Sequence, residues 1–263
     1  MALIDSHCHL DNKAFDEDRD AVLDAARAAG VEGFLAIGTG DGPPDLEVAV
    51  RLADAHPDIW ATVGVHPHDA AKVGAGTVAE LRELCAHPKV IGIGEIGLDY
   101  HYDHSPREVQ RRVFVEQLAL AEERKIPITI HTREAWADTL DLLRTHWAPA
   151  GLPGIMHCFT GTAEQAQACL DMGFYISMAG VVTFKRNDDL REAAKIVPAD
   201  RLLVETDSPY LTPEPYRKIR RNEPKFVIDT ARRLAEIRGE EFADLARSTT
   251  ANFRRLFGLQ ASS

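Results

Sequence analysis

Short, nearly continuous apolar runs recur along the chain, separated by Pro, Gly and charged residues. Eight have the length of a strand: ALID (2–5), VEGFLAIG (31–38), IWATVGV (59–65), VIGIGEI (90–96), IPITIH (126–131), GIMHCF (154–159), GFYIS (173–177) and RLLVET (201–206). Strands that lack polar alternation belong to parallel sheets covered on both faces. The intervening stretches carry helical spacing instead. Val22, Leu23, Ala26 and Ala29 precede Gly30, and Val109, Val113, Phe114, Leu118 and Ala121 follow the Ser105-Pro106 start signal.

Strand–helix alternation with eight strands predicts an α/β protein, a TIM-type (β/α)8 barrel rather than an open doubly wound sheet. Stretches 173–184 and 201–215 are irregular, which leaves a seven-stranded or distorted barrel open. Residues 222–257 read as two outer helices anchored by Phe253, Leu256 and Phe257. No repeat, linker or low-complexity tract interrupts the pattern, so residues 1–263 are expected to form a single domain.

Composition narrows the class. With 45% hydrophobic and 27% charged residues, the 263-residue chain is neither disordered nor fibrous. Its formal charge of −11 disfavours nonspecific binding to nucleic acid or an acidic membrane. The first twenty residues lack the basic and apolar regions of a secretory signal, and no apolar run approaches the length of a span. A cytoplasmic location, no membrane contact, no obligate protein partner and a monomer are the resulting expectations. Cys8, Cys85, Cys158 and Cys169 show no metal or redox spacing and are expected to be reduced.

The chemistry gathers at strand ends. His7 and His9 close the first run; two residues apart in extended chain, they share a face, whereas Cys8 points away. Glu95, His131 and His157 close the fourth, fifth and sixth runs, and Asp207 follows the eighth. Any one of these reads as a structural histidine or a capping acid; six at five matching strand ends do not. The C-terminal rim of the strands is where such barrels build their sites. Four imidazoles and two carboxylates exceed the ligands of one catalytic zinc and suit two divalent ions, whether Zn, Mg, Mn or Fe. The expected division gives His7, His9 and Asp207 to one ion and His131 and His157 to the other, with Glu95 bridging. Asp5 and Glu205 lie two residues before His7 and Asp207, placed to orient ligands or relay protons.

Substrate contacts are expected from His66 and His68 in GVHPHDA, from Arg133, and from the basic loop RKIRRNEP with Arg221 and Asn222. These cations after strand ends, in an acidic protein, form a local funnel for an anion such as a phosphate ester. Walker A, GxGxxG and GxSxG motifs are absent, and Trp60, Trp136 and Trp147 form no stacking pattern.

DSHCHLD, GVHPH, GEIGLDY, PITIHTR, MHCFTG, ETDSPYL and RRNEP, in this order from position 5 to 224, resemble the TatD family of metal-dependent deoxyribonucleases in the amidohydrolase superfamily. The resemblance implies a TIM-type barrel, a binuclear metal site and hydrolysis, often 3′ to 5′ exonuclease action on DNA. It implies ligand roles for His7, His9, Glu95, His131, His157 and Asp207, and phosphate-side roles for His66, Arg221 and Asn222. Ile219 stands where the family pattern has glycine. The expected mechanism is attack by a metal-activated water, with Asp207 taking its proton, Glu95 holding the ions together and Glu205 behind them. The partner is DNA or another phosphate ester. Hydrolysis of a carbonyl ester or amide, including D-aminoacyl-tRNA deacylation, and a non-catalytic binding role are the alternatives.

Overall fold

The computed structural model describes residues 3–260. Among them are eight strands: β1 (Leu3–Cys8), β2 (Val31–Ala36), β3 (Ile59–Val63), β4 (Val90–Asp99), β5 (Ile128–Arg133), β6 (Gly154–Met156), β7 (Tyr175–Met178) and β8 (Leu202–Val204). Nine α-helices alternate with them: α1 (Arg19–Ala29), α2 (Val48–Ala55), α3 (Thr77–Leu84), α4 (Arg107–Arg124), α5 (Trp136–His146), α6 (Ala163–Asp171), α7 (Asp188–Ile196), α8 (Val227–Arg238) and α9 (Phe242–Leu256). Every expected strand is present. The boundaries move by up to three residues: β1 and β4 run on, to Cys8 and Asp99, whereas β6 stops at Met156. None of the described helices is long and apolar enough to cross a membrane.

The chain forms two compact units. The first comprises residues 1–35, 157–171 and 175–263; the second comprises 36–156 and 172–174. In the second unit β3, β4, β5 and β6 pair in parallel in chain order. Their central residues, among them Val63, Ile93, Ile96, Ile130 and Ile155, are fully enclosed, which is why these strands lack polar alternation. Gly97 has a φ of 142°, and a Cβ there would lie 2.0 Å from the His131 carbonyl oxygen. Only glycine permits that approach of β4 to β5.

Two buried glutamines fix strand ends in the same unit. Gln117 of α4 receives the Val65 amide on its Oε1 and donates to the Val65 carbonyl, pinning the turn after β3. Gln110, about two turns earlier, accepts from the Asp99 amide and donates to the Asp99 and Ser105 carbonyls.

In the first unit β7 and β8 are parallel neighbours, and β1 continues alongside through a parallel bridge between Cys8 and Ser208. The Asp207 amide donates to the His7 carbonyl at 2.9 Å and the His9 amide to the Ser208 carbonyl at 2.9 Å. The Cys8 thiol points away from both imidazoles and donates to the Leu35 carbonyl. Helix α1 ends on Gly30 and α8 on Gly239, both left-handed. The two expected C-terminal helices are α8 and α9, with Phe253 and Leu256 buried. None of the four cysteines forms a disulfide among the described residues.

Candidate metal centre

In the first unit, the donors arrive from the ends of β1 and β8 and from the residue after β6. His7 Nε2 and His9 Nε2 lie 3.3 Å apart, and Asp207 Oδ1 is 3.3 Å from His9 Nε2 and 3.7 Å from His7 Nε2. Two atoms that each ligate one divalent ion at about 2.0–2.2 Å, with tetrahedral or octahedral angles, stand about 3.0–3.5 Å apart. Two of the three separations fall in that range and the third, 3.7 Å, is just beyond it, close to the spacing of a shared ion; two facing imidazole nitrogens are poorly served by a single proton between them. His157 stacks on His7 with centroids 3.7 Å apart. Its Nδ1 is 3.1 Å from Glu205 Oε1, an oxygen that also accepts from the Cys158 amide at 2.6 Å. Glu205 Oε2 is enclosed and has no hydrogen-bond partner among the described residues. A buried carboxylate oxygen in that condition is a cation ligand in waiting.

Burial pushes the Asp207 carboxyl up; the hydrogen bond from His9 and the charges of His157, His9 and His7 more than reverse this, holding it below the ordinary carboxylate range. Asp207 has a φ of 54°, a left-handed conformation uncommon outside glycine. The neighbouring residues hold it there. Asn222, fully buried, donates through Nδ2 to the Thr206 carbonyl at 2.9 Å and to the Tyr210 carbonyl at 2.6 Å. Asp5 accepts from the amides of Thr206 and His7 and from the Thr206 hydroxyl. Burial drives the Asp5 carboxyl up to about 8 against those hydrogen bonds. Asp5 and Asn222 thus fix the backbone that carries the donors, and the side-chain contacts of both are made with the protein's own backbone and Thr206.

Arg221 lies outside this set. Its guanidinium makes a bidentate pair with Asp18 at 2.7 and 2.8 Å and also reaches Glu223 at 2.9 Å. That pairing neutralises the charge that a phosphate contact requires.

The second unit brings Glu95, His66 and His131 together, with ligand atoms within 4.8 Å of one another. The β4–β5 register shifts between Ile93 and Ile96, so Glu95 sits in a β-bulge, a device that re-aims a side chain. His131 lies between two carboxylates: Nδ1 is 2.7 Å from Glu95 Oε1 and Nε2 is 3.1 Å from Asp99 Oδ2. Replacing the proton on Nδ1 by a cation would leave a carboxylate–histidine–metal arrangement, with Asp99 fixing the ring. His68 Nε2 also contacts Asp99 Oδ2, at 2.9 Å. Burial raises the Asp99 carboxyl, but bonds from His131, His68 and the Tyr102 amide outweigh it and hold Asp99 far below its usual range.

His66 differs. Its Nδ1 accepts the His68 amide at 3.1 Å, so in the neutral ring Nε2 carries the hydrogen. Burial pushes its pKa down to about 4 against the opposing Glu95 charge, so the ring is neutral near pH 7. A neutral Nε2–H is a donor to an anion, not a ligand. Arg133 is exposed, and its guanidinium lies 4.7 Å over the Tyr102 ring.

Asp99 was absent from the sequence expectation. It lies four residues after Glu95 in the motif GEIGLDY, and that second acid at the end of the run was the available signal.

Parallel strands alternating with helices, with imidazole and carboxylate donors at and beyond the strands' C-terminal ends, define the class: a metal-dependent hydrolase of ester bonds on a TIM-type fold. The chain matches the family described as TatD related DNase over residues 4–258. It is 44% identical over 255 residues to the uncharacterized metal-dependent hydrolase YabD of Bacillus subtilis, covering 97% of this chain and 98% of that one. It is 42% identical over 262 residues to the 3′-5′ ssDNA/RNA exonuclease TatD of Escherichia fergusonii, covering 98% and 99%. The crystal structure of YJJV, a TatD homolog from Escherichia coli, superposes with a TM-score of 0.91 at 28% identity over 98% of both chains. The chain belongs to the TatD-related DNase family.

Proposed function

We propose that the protein is a phosphodiesterase that removes nucleotides from the 3′ end of single-stranded DNA or RNA. The observation that carries this reading is the mutual 3.3–3.7 Å spacing of His7 Nε2, His9 Nε2 and Asp207 Oδ1. In the first unit His7, His9, His157, Glu205 and Asp207 would hold a divalent ion; in the second, Glu95 and His131 would. Such ions supply Lewis acidity, lowering the pKa of water to about 7 and offsetting charge on a phosphoryl oxygen.

The remaining chemistry falls to the chain's own side chains. Asp207, kept ionised at neutral pH, accepts the proton of the attacking water. Glu205 orients His157 through Nδ1, and Asp99 orients His131 through Nε2. His66 Nε2–H and Arg133 address anionic oxygens of the substrate, where negative charge grows in the transition state. His68, held against Asp99, supports that side. Support for the nucleic-acid substrate comes from the E. fergusonii relative, named for 3′-5′ exonuclease activity on single-stranded DNA and RNA. A neutral donor and an uncommitted arginine favour a phosphate over a neutral carbonyl.

The test is a panel of single-stranded DNA, RNA, phosphomonoester, carboxylester and aminoacyl-tRNA substrates, with and without EDTA and added Zn, Mn or Mg. Metal-dependent release of mononucleotides from a 3′ end is the expected result. Hydrolysis of the carbonyl substrates alone would replace this reading.

A further inference from the structure

Beyond the end of β4, the loop 100–106 displays Tyr102, His104 and His101 to solvent, and Tyr102 is 50% exposed. The backbone that carries this ring is anchored. The Tyr102 and His101 amides both donate to Asp99 Oδ1, at 2.9 and 3.0 Å, while Asp99 Oδ2 meets His131 and His68. The Tyr100 amide donates to the Arg133 carbonyl, and Gln110 holds the Ser105 carbonyl. One buried carboxylate therefore sets both the ring of the candidate donor His131 and the backbone under Tyr102.

The rings themselves form a stepped surface. Tyr102 and His104 are parallel within 4°, with centroids 5.4 Å apart. That distance is an offset stack and leaves part of each face uncovered. His68 meets Tyr102 edge-on, and Arg133 lies over the Tyr102 ring, with no carboxylate partner among the described residues. A planar aromatic face, an adjacent guanidinium free to meet a phosphate, and a rigid backbone make up a stacking site for single-stranded nucleic acid.

We infer that Tyr102 and His104 form the platform on which a nucleobase of the bound strand stacks, with Arg133 beside it for the phosphate. The inference rests on the nuclease reading above and adds a contact to it: the π-face of a base of the bound strand is held by these two rings. Because stacking uses the π-face, the site tolerates all four bases.

Two measurements on the metal-loaded full chain test this. The first follows fluorescence of 2-aminopurine at the 3′ end of a phosphorothioate oligonucleotide that resists cleavage. Wild type is expected to quench it on binding; Tyr102→Ala is expected to leave it bright, and Tyr102→Phe to quench like wild type. The second compares KM for oligonucleotides ending in a base or an abasic residue. Wild type should prefer the base-bearing end by about 10-fold, the scale of a single base–aromatic stack, and Tyr102→Ala should bring that ratio close to one. Unchanged quenching or an unchanged ratio in Tyr102→Ala overturns the platform while leaving the nuclease reading intact. A wild type that neither binds nor cleaves any oligonucleotide, yet hydrolyses another ester, overturns the nuclease reading and the platform with it.

Discussion

Replacing Asn222 by alanine tests whether this residue holds the turn of Asp207 or touches substrate. The side chain is fully buried, donates to the Thr206 and Tyr210 carbonyls, and accepts from the Glu223 amide at 2.9 Å. Alanine removes three hydrogen bonds and leaves backbone groups in the interior without partners. At a net ~1 kcal/mol per bond, more where a group is left unsatisfied, the loss comes to about 2–4 kcal/mol. For a protein of this size that corresponds to a fall in Tm of roughly 5–15 °C. Equilibrium urea unfolding, followed by tryptophan fluorescence and far-UV circular dichroism together, measures it. Because the turn holds Asp207 at a φ of 54°, freeing it should also lower kcat by about 10²-fold, the usual consequence of misplacing a reacting group by an ångström. A loss of stability below ~0.5 kcal/mol accompanied by a rise in KM alone would refute the positioning role and return Asn222 to the substrate side.

Other perturbations follow from the same geometry. Asp207→Asn is expected to fold with wild-type circular dichroism and to lose about 10²–10⁴ in kcat, the scale of a lost general base; retained turnover with excess metal removes it from that role. His66→Ala should cost roughly 10²-fold in kcat/KM on an anionic phosphodiester and far less on a neutral ester, which paired assays would show. The hydrogen bonds and charge of Arg221 hold the Asp18 carboxyl below its unfolded value, so the stability it adds is present above the ordinary carboxylate range and lost as pH falls through the folded pKa. The difference in urea midpoint between wild type and Asp18→Asn should accordingly shrink from pH 7 toward pH 2.5, and a constant difference would contradict the pairing. Burial raises the Cys85 thiol to about 11, so its alkylation by iodoacetamide at pH 8 should run at least 10-fold slower than that of a model thiol.

Most of the framework was legible because buried parallel strands carry their own signature. All eight apolar runs became strands, since few polar residues interrupt them and enclosure on both faces favours such sequences. Alternation also placed Cys8 away from His7 and His9, as its bond to the Leu35 carbonyl shows. Around Glu95 a bulge interrupts the period, and the expected strand end at Ile96 falls short because the glycine at position 97 reads as a terminator although β4 runs on to Asp99. Arg221 and Asn222 could not be sorted from composition. Their chemistry suits a phosphate, yet Asp18 lies 203 positions away in the chain and only the fold reveals it as the arginine's partner. Asp5 and Gln117 illustrate the same limit, because a side chain that binds distant backbone has no local pattern. That His66 offers Nε2–H to the substrate side is visible only through the direction of one amide, that of His68.

Whether His7, His9 and Asp207 share a divalent ion is decided by anomalous diffraction from crystals of the protein grown with zinc, recorded above and below the zinc edge. A peak is expected about 2.0–2.2 Å from His7 Nε2, His9 Nε2 and an Asp207 oxygen, abolished by replacing both histidines. Zinc bound elsewhere at full occupancy, with these three atoms keeping their 3.3–3.7 Å spacing around water or a shared proton, would contradict it.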